Sequence, residues 1–407
     1  MTQLDRLRTL LAEIIPANRF YTPKLAAAGV TADLASLKDF YTNVPFTTKA
    51  DLVADQAANP PYGSNLTFPL ERYSRFCQTS GTTARPLIIL DSNESWSWML
   101  ENWRRIYQAA QLQGGDRIYF AFSFGPFLGF WTAFEAATRL GYLSLPGGGL
   151  GSAARLAALI EHRATVLCCT PTYALHLAEV ARKAHINLKE ASVRTIIVAG
   201  ETGGSVPEVR AAISAAWNGA TVVDHYGMTE VGPVAFQKLG EADRLQVIEE
   251  SYFAEILKPQ TGLPATPGEV GELVLTTLGR SACPLLRYRT GDLVKRVPRT
   301  LGFVLEGGII GRADDMIVVR GVNLYPSAVD AVVRSVPEVT EYRVEISRRG
   351  VLSEVALSIE CEQSHVPKKL EAALTSAFSL RIPVERAEPG SLPRFEMKAR
   401  RWVQDEA

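Results

Sequence analysis

From about residue 90 to 225 the apolar positions alternate between helical spacing and short continuous runs. Ser95–Gln113, Phe127–Leu140, Ala153–His162 and Pro171–Ala184 carry the 3.6-residue period of helices with one buried face. Between them lie Arg117–Phe124, Tyr142–Leu145, Thr165–Cys169, Val193–Ala199 and Ala220–Val223, which are short and extended or apolar throughout. Continuously apolar strands between helices predict a sheet covered on both faces. After about residue 250 the pattern changes to short strands, such as Gly271–Leu275 and Pro284–Arg289, broken by turn chemistry around Pro259–Gly268. This predicts a β-rich subdomain over about 236–312. The last stretch mixes strands with the helices Pro326–Ser335 and Val366–Phe378, in a length that suits a small α+β domain. The predicted fold is therefore α/β: a large N-terminal domain over 1–312 and a small C-terminal domain over 313–407.

Two segments need a separate reading. The first twenty residues carry Asp5, Arg6, Arg8 and Glu13 among their apolar positions, which predicts an amphipathic helix and not a signal peptide. Ile118–Phe134 has no charge and approaches the minimum length of a membrane span. Gly125-Pro126 breaks it, so a buried strand, a loop and a buried helix are expected, with no membrane partner.

Composition narrows the class. The chain has 407 residues, 47% hydrophobic and 21% charged, which excludes a disordered protein. Lys plus Arg and Asp plus Glu both number 43, so no field of one sign points to nucleic acid or an anionic membrane. The five cysteines are odd in number and form no C-x-x-C, which fits a reducing, cytoplasmic setting. The five histidines form no H-x-x-x-H, so a dedicated transition-metal site is not expected.

Five segments carry candidate chemistry. Thr79-Ser80-Gly81-Thr82-Thr83 sets four hydroxyls around one glycine, a loop that can wrap an anion with N–H and O–H donors, or an ordinary polar turn. Asp224–Glu230 follows the strand predicted at Thr221–Val223, and a glycine turn there would bring Tyr226, Gly227, Thr229 and Glu230 to the strand end where α/β sheets bind ligands. The bland alternative is a strand-to-loop turn with a solvated glutamate. Tyr288–Asp292 places a carboxylate beside a glycine, suited to accepting two ribose hydroxyls, or simply a solvated turn. Gly311–Asn323 flanks the apolar run Met316–Val319 with glycines and charges at the predicted domain boundary, so a hinge competes with an edge strand. Leu392–Arg401 reads as a basic tail when taken alone.

In this order and spacing the five segments resemble the acyl-adenylate-forming superfamily of acyl-CoA synthetases, adenylation domains and luciferases. The nearer resemblance is to the phenylacetate–CoA ligase branch. Phe20-Tyr21, Ala28-Gly29-Val30, Pro45–Lys49 and Asp51-Leu52 resemble the start of that branch, and Leu324–Ser327 its version of the hinge region. The resemblance runs from about residue 18 to 402.

The resemblance implies roles for particular residues. Thr79, Ser80, Gly81, Thr82 and Thr83 would hold the β- and γ-phosphates of ATP. Gly200 and Glu201 would lie beside the adenine and acyl sites. Tyr226, followed by Gly227, would stack near adenine; Thr229 would contact the α-phosphate and Glu230 would bind Mg²⁺. Asp292 would accept the ribose hydroxyls with Arg312 nearby. Lys398 would reach the α-phosphate and the attacking carboxylate, and Asp314 would be the hinge of a mobile C-terminal domain. Rotation there would bring Arg320–Asn323, Arg320 and Gly321 among them, towards CoA. Phe124, Gly125 and Phe127 would wall the acid pocket, while Phe122 and Phe130 are expected in the core.

The implied reaction uses ATP, Mg²⁺ and coenzyme A to convert a small aromatic carboxylic acid to an acyl-adenylate and then a thioester. Transfer to a carrier-protein thiol or an amine is an alternative acceptor chemistry. A degenerate nucleotide-binding homologue is a third reading. Its one support is Ala84, where the family has glycine; at φ > 0 alanine costs about 1 kcal/mol or more. Leu87 likewise replaces a lysine common in the wider superfamily. Some relatives carry a Cys/His cluster after the tyrosine–glycine motif; Val231–Glu250 has neither residue, so no structural zinc is expected. A homodimer is expected only as the commonest assembly.

Overall fold

The structure is a computed structural model and describes residues 1–79, 86–298, 302–320, 322–349, 352–395 and 399–404. Its centre is an eight-stranded sheet in the order Val304–Glu306, Arg244–Val247, Gly232–Phe236, Thr221–Met228, Thr195–Val198, Val166–Cys169, Arg117–Phe120, Leu143–Pro146. The last five strands run parallel, and the first three join them antiparallel. Alternate residues feed separate cores. Ile118, Phe120, Cys168, Ile197 and Val223 pack with Trp96, Met99 and Trp103 of the Asn93–Ala109 helix on one face. Tyr119, Leu167, Cys169, Ile196 and Val198 pack with Leu156, Leu177 and Ile213 on the other. Both faces are buried, which is why these runs read as apolar without alternation.

The expected helices are present within a few residues, as Asn93–Ala109, Ser152–Glu161, Pro171–Lys183, Pro326–Arg334 and Val366–Phe378. The helix expected over Phe127–Leu140 begins later, at Trp131. Its first four positions are spent on a loop closed by the Trp131 indole, which donates to the Gly125 carbonyl at 3.0 Å. The amphipathic N-terminus folds as Gln3–Ile14, held by a Thr2–Asp5 capping box.

The β-rich region is less separate than the sequence pattern suggests. Arg244–Val247 and Val304–Glu306 extend the central sheet. Only Tyr252–Leu257, Val270–Thr277, Tyr288–Lys295 and Gly311–Arg312 form a sheet of their own. The C-terminal lobe is a six-stranded sheet with the helices Pro326–Arg334 and Val366–Phe378, and its buried core draws only on Val319 and later residues. Among the described residues no helix is long and apolar enough to cross a membrane.

Candidate active site

The strand Thr221–Met228 lies where the central sheet turns from parallel to antiparallel pairing. The sequence pattern predicted a strand ending at Val223 and a glycine turn after it. Instead the strand continues to Met228, because Gly232–Phe236 folds back and pairs with it. Gly227 sits at a register shift in that pairing, and a side chain there would put a Cβ 2.7 Å from the Gly232 carbonyl oxygen. The turn falls at Thr229-Glu230.

Tyr226 points from this strand to the next sheet. Its hydroxyl donates to Asp292 Oδ2 at 2.6 Å. Asp292 Oδ1 accepts from Arg312 Nη1 at 3.0 Å, and Arg312 forks onto both oxygens of Asp314 at 2.8 and 2.9 Å. Burial and the neighbouring carboxylate push the Tyr226 hydroxyl well above its ordinary range, so it stays a donor. Asp292 lies inside the strand Tyr288–Lys295, whereas the sequence suggested a turn. Gly291 is needed there: its φ is +77°, and a Cβ would come 2.7 Å from Arg312 Nη2.

Glu230 is 5% exposed, with Oε1 3.4 Å from the ammonium of Lys49. Burial first, and then the Glu230 carboxylate beside it, raise the pKa of the Tyr288 hydroxyl. The backbone carbonyls of Thr229 and Glu230 accept from Arg280 Nη1 at 3.0 and 2.7 Å. Arg280 is in turn held by Asp91 through two bonds of 2.7 and 2.6 Å, and neither side chain has any exposure. Sequence reasoning missed Arg280. The one available signal was Asp91, a lone carboxylate closing the apolar run Leu87–Leu90.

Glu201 bridges two parts of the molecule. Oε1 accepts from the backbone N–H of Thr172 at 2.8 Å, at the N-terminus of the Pro171–Lys183 helix. Oε2 accepts from the backbone N–H of Ala399 at 3.1 Å. Gly200, before it, has φ +95°. Lys398 itself lies outside the described residues, as do Ser80, Gly81, Thr82, Thr83, Ala84 and Gly321. The Thr79 Oγ1 accepts from the Leu87 N–H at 3.1 Å. Arg320 is not brought to this site; it pairs with Glu354 on the C-terminal lobe at 2.9 Å.

The aromatic segment folds as a cluster. Phe122 lies 4.5 Å from Phe124 and 6.2 Å from Phe127, centroid to centroid, and Phe124 lies 4.7 Å from Trp131. Phe130 is buried in the core, as expected. Phe122 is half-buried: it packs against that core, 5.4 Å from the Phe130 ring, and also touches Phe124. Gly125 leaves room for the Phe127 ring, which a Cβ would approach to 2.6 Å. Gly148 does the same for Phe124 at 2.9 Å, so the Gly147–Gly149 loop closes over this cluster. The sequence reading did not include that loop. Behind it the buried Arg155 donates to the Gly147 carbonyl at 2.8 Å and to the Tyr173 hydroxyl at 2.7 Å.

With this geometry in view, comparison decides the family. The chain matches the AMP-binding enzyme family over residues 55–279, and the AMP-binding enzyme C-terminal domain over 321–406. It belongs to the AMP-binding enzymes. The phenylacetate-coenzyme A ligase of Escherichia coli (strain K12) is 31% identical over 423 residues, spanning 98% of this chain and 92% of that protein. The Thermus thermophilus enzyme of the same name is 32% identical, spanning 89% of this chain and 81% of its own length. Among solved structures, 2-hydroxyisobutyryl-CoA ligase in its postadenylation state, in complex with 2-HIB-AMP, is 29% identical. It superposes with a TM-score of 0.93, covering 99% of this chain and 89% of that one. The same ligase with 2-HIB-AMP and CoA in the thioesterification state, 30% identical with the same coverage, superposes at 0.74. This AMP-binding enzyme therefore holds its two lobes as in the postadenylation structure.

Proposed function

We propose that this AMP-binding enzyme is an AMP-forming acid–CoA ligase. It activates a small aromatic carboxylic acid with ATP and passes the acyl group to the thiol of CoA. One observation carries the reading: Tyr226, Asp292 and Arg312 form a hydrogen-bonded string beside the buried Glu230, and the Ala399 N–H of the C-terminal lobe is bonded to Glu201 of the N-terminal lobe.

The residues present suit the nucleotide. Asp292 is fixed from both sides by Tyr226 and Arg312, and an ionised carboxylate so held is a directed acceptor for ribose hydroxyls. Glu230 suits Mg²⁺, which is usually held by one or two carboxylates together with substrate phosphates. The ion's contribution is to neutralise charge on the phosphates. Lys49 adds a second cation 3.4 Å from Glu230. Arg280 and Asp91 fix the turn that carries Thr229 and Glu230, so their geometry is set before substrate arrives.

The acid needs no general base, because a carboxylate is already ionised at neutral pH. Its attack on the α-phosphate forms the acyl–O–P bond and breaks the bond to pyrophosphate. Lys398, next to the Ala399 anchor, would steady both anions as they meet. The thiol then attacks the acyl carbon and AMP leaves. The half-buried Phe122, Phe124 and Phe127, and their glycine neighbours, suit a flat aryl group.

The test is pyrophosphate release with ATP and Mg²⁺ over aryl, arylacetic and short aliphatic acids, with and without CoA. Release with an aromatic acid, followed by AMP and thioester only when CoA is present, is the expected result. Release without turnover on CoA would move the acceptor to a carrier protein or amine. No release with any acid, from protein that binds ATP, would overturn the reading.

A further inference from the structure

The C-terminal lobe is tied to the N-terminal lobe through the Pro171–Lys183 helix at two places. One is the Thr172–Glu201–Ala399 bridge already described. The other is Arg394. Its Nε lies 3.2 Å from Glu179 Oε2 and its Nη2 3.4 Å from Glu179 Oε1, both on that helix. The same guanidinium is held within its own lobe by Glu360, at 3.2 Å from Nη1 to Oε1 and 2.7 Å from Nη2 to Oε2. Glu360 also accepts from the Leu392 N–H at 2.7 Å, and these bonds keep its carboxyl low, at about 2. Glu179 likewise has a partner within its own lobe: Lys183, one helical turn on, at 2.8 Å. His176 Nδ1 stands 4.0 Å away on the other side.

Both members of the inter-lobe pair thus have a second counter-ion that travels with them. If the lobes part, Arg394 keeps Glu360 and Glu179 keeps Lys183. Neither charge is left alone, which is the circumstance that makes breaking a buried pair so costly. We propose that Glu179–Arg394 is a releasable latch, with Glu179 a positioning residue that favours the lobe arrangement seen here. That arrangement superposes better on the postadenylation state of the related ligase than on its thioester-forming state. The latch therefore favours adenylation over thioester formation, an assignment that rests on the ligase reading.

The size follows from exposure. Glu179 and Arg394 are about one-fifth exposed, so the pair is partly screened and shifts the balance between lobe arrangements about two- to five-fold. Glu179→Gln weakens the latch. Lys183→Met, at a side chain 59% exposed and tolerant of change, leaves Glu179 with Arg394 as its one direct lysine or arginine partner among the described residues and tightens it.

Two readouts test this. The first needs no substrate. All five cysteines are buried, so cysteines introduced at the exposed Lys189 and Glu388 can be labelled selectively, and the distance between lobes measured in the full chain. Glu179→Gln should enlarge the population away from the arrangement seen here by about two- to five-fold, and Lys183→Met should shrink it. The second separates the half-reactions. Acid-dependent pyrophosphate release should fall by that factor in Glu179→Gln, while thioester formation from supplied acyl-adenylate holds or rises. Lys183→Met should move the two the other way. Unchanged distances, or both half-reactions falling together with the melting temperature, would overturn the latch. Absence of pyrophosphate release with every acid would overturn the ligase reading instead, and the lobe distances would still judge the latch.

Discussion

A buried carboxylate, Asp292, and a buried guanidinium, Arg280, show how unequally single residues announce themselves. Asp292 was legible because Tyr288–Asp292 is a local pattern, and the structure fixes it between Tyr226 and Arg312. Arg280 was not, because its partner Asp91 is 189 residues away in the chain and no short motif joins them. The two predict different failures. Asp292→Asn keeps the shape of the site but removes the charge. Charge-assisted bonds are worth about 1.5–3 kcal/mol each, so ATP affinity should fall roughly ten- to a hundredfold in titration calorimetry with little change in melting temperature. Tyr226→Phe removes one donor and should cost less. Asp91→Asn leaves the Arg280 guanidinium buried without its counter-ion. Stability in urea should drop by about 3–5 kcal/mol, with activity lost through the collapsed Thr229–Glu230 turn.

At the scale of elements, the strand Thr221–Met228 is where pattern reading stopped too early. Its apolar run ends at Val223, and polar residues follow. They stay in the strand because Gly232–Phe236 pairs with them and the helix Asn93–Ala109 covers them: the Trp103 ring lies 4.5 Å from the His225 ring. Periodicity sees hydrophobicity, not a partner strand still to come. Burying Asp224 and His225 side by side has a consequence for pH. Burial raises Asp224 to about 6 and lowers His225 to about 4. From about pH 4 to 6 the folded chain holds a proton on Asp224 that the unfolded chain has released, so that group loses stability as pH rises. Over nearly the same range unfolded His225 is protonated and the folded one is not, so that group gains stability as pH rises. The two slopes oppose. Asp224→Asn should leave the histidine slope alone, with stability rising between pH 5 and 6. His225→Phe should leave the aspartate slope, with stability falling. Denaturant midpoints across that interval check both; equal behaviour in the two variants would sink the argument.

At the scale of the molecule, two lobes were legible from the change in pattern after about residue 313, but their contact was not. Only the folded chain sets Glu179 against Arg394, 215 residues on, and no short motif joins them. The cores themselves are separate. The three clusters around the central sheet and the β-rich sheet include no buried residue after Leu305, and the C-terminal cluster includes none before Val319. A chain ended after Asp315 therefore keeps its cores, together with the Tyr226–Asp292–Arg312–Asp314 string. It loses Arg394, Lys398 and the Ala399 bridge. Such a fragment should fold cooperatively and bind ATP within about tenfold of the full chain, since the ribose contacts are retained and only the C-terminal contacts are missing. Pyrophosphate release should fall steeply, because Lys398, proposed to steady the two anions as they meet at the α-phosphate, is gone while Glu230 and Lys49 remain. In the full chain ATP with Mg²⁺ should then raise the unfolding midpoint of the N-terminal lobe more than that of the C-terminal lobe, since a ligand stabilises the unit that carries most of its contacts. Calorimetry of both proteins, with and without ATP, decides it: a fragment that folds but does not bind would place the nucleotide's main contacts on the C-terminal lobe and overturn the roles proposed for Asp292 and Tyr226.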